Sequence, residues 1–115
     1  PFSNIEKEKI LGIKKVVQYG IIDNNVLYEY GLYICVIAGD ILKISRSQIS
    51  EVYKNMPIYS AKDIVLDGFD IISILNVEPG EIVKKIYFDL EVNILNGTLE
   101  NDKEILKQYI LENWR

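Results

Sequence analysis

The stretch from Ser60 to Asn101, SAKDIVLDGFDIISILNVEPGEIVKKIYFDLEVNILNGTLEN, constrains the fold most, because each boundary in it carries a residue that starts or stops a helix. Ser60, with Asp63 three residues on, opens a short helix that Asp67-Gly68 halts. A second short helix holds Ile71, Ile72, Ile74 and Leu75 and stops at Asn76, a residue that tolerates the left-handed position past a helix end. Pro79-Gly80 then turns the chain into a long amphipathic helix running to Asn96-Gly97, with Ile82, Val83, Ile86, Leu90 and Ile94 as its apolar stripe. Phe88, Val92 and Leu95 make a second stripe, flanked by Lys84, Lys85 and Glu91. A helix apolar on two sides is predicted to lie buried between neighbours. The sharper alternative has Phe88 stacking on a base beside two lysines.

The remainder also reads as helix. Ser3 and Glu6 have capping-box spacing and open a helix to Tyr19, with Ile10, Ile13 and Val17 on one face, Leu11 and Val16 beside them, and Gly20 as its stop. Asp23-Asn24-Asn25 starts a helix over Val26–Ala38, in preference to a buried strand over residues 33–38. Gly31 is read as a close helix contact and Gly39 as the stop. Ser45 to Gln48 opens a helix carrying Ile49, Val52, Tyr53 and Met56, which Pro57 ends. Asn101, with Glu104 three residues on, is predicted to cap a last helix with Ile105, Leu106, Tyr109, Ile110 and Trp114. The expected fold is one all-α domain over residues 1–115, a bundle of five to seven helices with short loops.

Composition removes several chemistries. The chain has no histidine and one cysteine, Cys35, so no Cys–His nucleophile can form within it. Cys35 lies in an apolar run and is read as a small buried hydrophobe. No metal-ligand spacing, Walker loop or dinucleotide glycine pattern is present. Asp63, Asp67 and Asp70 look like a cluster, but their positions at helix starts give them a capping role. No apolar run is read as long enough to cross a bilayer, so the expected setting is cytoplasmic. The chain begins at Pro1, and a longer parent is expected.

Charge points to one side of the chain. Residues 1–62 hold eight Lys/Arg against six Asp/Glu, and residues 63–115 hold five against eleven. Lys43, Arg46, Lys54 and Lys62 make the most basic surface, with Glu51 and Asp63 as the nearby opposing charges. Pro79-Gly80 exposes the N-terminus of the longest helix, where free amides favour a phosphate. Lys84 and Lys85 lie on its first turns, although Glu81 competes for the same place.

From Asp63 onward the order of features resembles the C-terminal body and tail of bacterial tRNA nucleotidyltransferases, the CCA-adding enzymes of the class that includes bacterial poly(A) polymerases. The matching residues are Asp63-Ile64, Gly68-Phe69-Asp70-Ile71, Asn76, Pro79-Gly80, Val83, Ile86, Leu90, Ile94, Gly97 and Asn101. Glu81 stands where the family has a second proline, and Lys84 and Asn76 where it has glycine. The resemblance implies a domain that holds tRNA by shape and backbone, through Lys43, Arg46, Lys54, Lys62, Gly80, Lys84 and Lys85, and catalyses nothing alone. Transfer of CMP and AMP would fall to an N-terminal head, absent from this sequence, that uses Mg²⁺, CTP and ATP. Packing against that head, or a dimer, is a further expectation. The alternative from a different class is a helical protein-interaction or oligomerisation domain without RNA binding, favoured by the acidic balance and by the two-sided helix around Phe88. A helix-hairpin-helix DNA binder around Pro79-Gly80 is weaker, because the second hairpin glycine is missing.

Overall fold

The computed structural model describes residues 3–115, which form six α-helices and one 3-10 turn, with no strand among them. The all-α expectation holds. The chain divides into two units, Pro1–Met56 and Pro57–Arg115.

In the first unit, Ser3 Oγ accepts the Glu6 amide and starts α1, Asn4–Tyr19, which Gly20 ends at φ 74°. The buried positions of α1 are Gly12 and Val16, whereas Ile10 and Leu11, expected inside, are exposed. The buried face is therefore centred on Gly12. A Cβ there would stand 3.1 Å from Ile34 Cδ1, so the glycine lets α2 approach closely.

Asp23 caps α2, Asn24–Leu42, by accepting the Val26 amide at 3.0 Å. The two glycines of α2 exchange the roles expected of them. Gly31 is the break, at φ 84° and ψ 163°, while the helix passes through Gly39 and ends at Lys43 in the left-handed region. Gly39 is instead the close contact: a Cβ on it would clash with Ile49 Cδ1 of α3, Arg46–Lys54. Ile49 is fully buried, so the clash has little room to relax.

At 19 residues α2 is long and apolar enough to cross a membrane by length and composition alone. The Gly31 break divides it into residues 24–30 and 32–42, each short of the roughly 20 residues a span needs. Its buried side, including Leu27, Cys35 and Ala38, faces the core that α2 builds with α1 and α3. Burial pushes the Cys35 thiol up to about 11. Thiol reagents at pH 8 are expected to leave the folded protein unlabelled and to label it fully once denatured. Rapid labelling of the native chain would contradict the buried assignment.

In the second unit, the expected short helix is a single 3-10 turn, Ala61–Asp63, with Asp63 Oδ2 accepting the amides of Tyr59 and Ser60. Asp67 and Asp70 form a reciprocal capping box at 2.9 Å in each direction and start α4, Gly68–Leu75. All three aspartates thus serve helix or turn starts, as expected. Asn76 closes α4 at φ 52°. Helix α5, Glu81–Leu95, buries Ile86, Leu90 and Ile94, and α6, Lys103–Asn113, buries Leu106 and Ile110. Asp102, not Asn101, caps α6. Asn101 is used at longer range: its Nδ2 donates to the Asp63 carbonyl at 2.8 Å and its Oδ1 accepts the Val65 amide at 3.0 Å. That side chain ties the start of α6 to the 3-10 turn.

Candidate nucleic-acid interface

The exposed side of α5 follows from its sequence period. With Ile86, Leu90 and Ile94 turned inward, residues 84, 85, 88 and 92 fall on the opposite arc at 100° per residue. Phe88 is 67% exposed and Val92 37%, so only Leu95 of the second stripe is buried, and the expectation of a helix enclosed on both sides fails for Phe88. Helix α4 packs on α5, and Tyr109 and Trp114 reach Asp89 on it from α6 and its end, while Phe88 stays in water.

Two open grooves flank Phe88. One, of about 710 Å³, is lined by Lys62, Ile64, Asp67, Val83, Lys84, Tyr87 and Glu91 as well as Phe88. The other, of about 630 Å³, is lined by Lys84, Lys85, Asp89, Val92, Tyr109, Asn113 and Trp114 together with Phe88. The fold therefore brings Lys62 to the same groove as Lys84, and Lys84 to the same groove as Lys85. Gly80, at φ 149°, precedes α5, whose N-terminus has no side-chain cap. A Cβ on Gly80 would meet nothing within 4 Å, so this glycine serves the backbone turn rather than packing. Glu81 does not fill the helix N-terminus; its Oε1 lies 3.6 Å from Lys84 Nζ, with both side chains largely in water. Such a contact contributes little.

The remaining sequence-predicted cations lie in the first unit. Lys43 is the left-handed residue that ends α2, and Lys54 is the last residue of α3. Arg46 is engaged by Asp40 through two hydrogen bonds, of 2.7 and 3.3 Å. Those bonds from the guanidinium hold the Asp40 carboxyl below its ordinary range. The sequence reading counted only Glu51 and Asp63 as opposing charge and missed Asp40, which the α2–α3 turn brings back six residues away.

One wall of the second groove is a polar network that sequence reading also missed. Asp89 Oδ2 accepts from Tyr109 Oη at 2.7 Å and from Trp114 Nε1 at 2.9 Å, while its Oδ1 accepts from Asn93 Nδ2 at 2.9 Å. The bond to Asp89 raises the Tyr109 pKa. On α5 the only signal was a pair of polar residues four apart, Asp89 and Asn93, lying between apolar stripes. Although residues 57–115 hold eleven Asp/Glu against six Lys/Arg, Asp63, Asp67, Asp70, Asp89 and Asp102 all accept hydrogen bonds from backbone amides or ring and hydroxyl donors. Much of the acidic charge is therefore directed at the protein's own donors.

The sequence matches the tRNA nucleotidyltransferase domain 2 family over residues 2–110, and the chain belongs to that family. It is 33% identical over 90 residues to a CCA-adding enzyme of Ligilactobacillus salivarius, covering 74% of this chain and 22% of that protein. Against a CCA-adding enzyme of Enterococcus faecalis it is 27% identical over 89 residues, 73% of this chain and 22% of the relative. A Streptococcus pneumoniae CCA-adding enzyme is 30% identical over 70 residues, 61% of this chain and 18% of that protein. The resemblance seen in residues 63–101 thus extends over most of the chain, which spans about a fifth of the length of the curated relatives it matches.

Proposed function

We infer that this chain holds tRNA by its backbone and shape, placing the 3′ end for a nucleotidyltransferase that adds CMP and AMP. The observation that supports this best is the gathering of Lys62, Lys84 and Lys85 along the open side of α5, in a chain of the tRNA nucleotidyltransferase domain 2 family. Lysines spread along a helix face suit phosphates at helical spacing and read no sequence, as a protein serving every tRNA requires. The uncapped start of α5 beside Gly80 adds backbone amides to the same surface. Lys43, Arg46 and Lys54 of the first unit are proposed as secondary phosphate contacts, Arg46 the weaker because Asp40 already holds it.

We place the transfer chemistry outside these residues. Among the described residues no group of three or more His, Cys, Asp or Glu is placed to hold a metal ion.

A second reading, protein docking by the first unit, is favoured by the exposed Leu11, Ile21, Tyr33 and Ile41. One experiment separates the two. Labelled tRNA titrated with the chain, against duplex DNA of equal length as competitor, is expected to show binding that DNA displaces poorly. Failure to bind tRNA would overturn the RNA reading and favour docking.

A further inference from the structure

We propose that Phe88 is a stacking platform for an unpaired RNA base, with Lys84 and Lys85 taking the phosphates beside it; this rests on the RNA-binding reading above and adds the kind of RNA feature recognised. Large aromatic side chains gain most of their stability from burial, and Phe88 forgoes it in the middle of a well-formed helix. Both sides of the ring open onto grooves with apolar walls: Ile64, Val83 and Tyr87 on one side, Val92 and Trp114 on the other. A flat base entering either groove meets the ring and an apolar wall.

The charges fit a nucleotide rather than an apolar peptide. Lys84 and Lys85 precede Phe88 by four and three residues, so they share its face of α5. Four residues at the helical rise put Lys84 about 6 Å along the axis from Phe88, the scale of one nucleotide from base to phosphate. Of the nearby carboxylates, Glu81 makes only a water-exposed contact of 3.6 Å with Lys84, Asp89 is held by Tyr109, Trp114 and Asn93, and Asp67 caps α4. Glu91 lines the first groove as well and lies one helical turn beyond Phe88, away from Lys84. Duplex RNA keeps its bases stacked on each other, so a platform of this kind selects loops, bulges or ends.

The test compares the full chain with its Phe88→Ala, Phe88→Trp and Lys84→Ala/Lys85→Ala variants, titrated into tRNA, a short oligouridine and a blunt RNA duplex. Phe88 is mostly in water, so the variants are expected to keep the wild-type helical circular dichroism. Phe88→Ala should weaken tRNA and oligouridine binding about 10-fold without changing the salt dependence, and Phe88→Trp should restore it. The lysine pair should instead flatten the salt dependence by roughly one to two phosphate contacts. Equal tRNA affinity for wild type and Phe88→Ala would overturn the platform and leave the RNA-binding reading standing. Absence of tRNA binding by the wild type would overturn both, and self-association lost in Phe88→Ala would assign the face to protein contact instead.

Discussion

Asp89→Ala is expected to lower the stability of the second unit by about 3 kcal/mol, read as a shift in the urea midpoint of the Trp114 fluorescence transition. One carboxylate accepts from Tyr109, Trp114 and Asn93, with each bond at 2.9 Å or less. Hydrogen bonds to a charged acceptor contribute about 1.5–3 kcal/mol each, and removing this one takes away the acceptor of both Tyr109 Oη and Trp114 Nε1, while Asn93 keeps the Asp89 carbonyl. The same bonds fasten the end of α6 against α5, so the groove beside Phe88 should loosen with them. Asp89→Asn keeps an acceptor but loses the charge, and an intermediate loss is expected. The pH dependence has a definite sign. The Tyr109 pKa is raised in the folded chain, so its contribution is full below the unfolded value near 10 and disappears as pH rises through the folded value. A midpoint unchanged in Asp89→Ala would show that the network is only a surface arrangement.

Reversing charge at Lys62, Lys84 and Lys85 together, as Lys62→Glu/Lys84→Glu/Lys85→Glu, should cost at least about 100-fold in tRNA affinity, because three attractions to phosphate become repulsions. All three side chains are exposed, so folding should survive, as circular dichroism can check. The corresponding reversal at Lys43, Arg46 and Lys54 is expected to cost less, since Asp40 already neutralises Arg46. A larger loss from the second set would move the main interface to the first unit.

Local chemistry made most of the fold legible. Ser3, Asp23, Ser45, Asp67 and Asn76 do at helix ends what their side chains and backbone preferences dictate. Where reading failed, the deciding partner was distant in sequence. Gly31 and Gly39 are both glycines in one apolar run, and only the arrival of Ile49 from α3 shows which one is packed. Asn101 has the spacing of a cap, but the carbonyl of Asp63 and the amide of Val65 claim its side chain, and Asp102 takes the cap. Phe88 departs from the expected burial because periodicity says which residues share a face, not whether another element covers it. The lysines were visible as charges. Which of them share a groove depends on the return of the 3-10 turn to α5, a contact no local pattern encodes.

Exposed lysines that hold an RNA backbone make tRNA binding by the unmodified chain depend on salt, and that dependence is the quantity to measure. If Lys62, Lys84 and Lys85 each displace a counterion, a fourfold rise in salt should weaken binding by roughly 20- to 40-fold. Affinity that is independent of salt, or no affinity at the lowest salt, would contradict it.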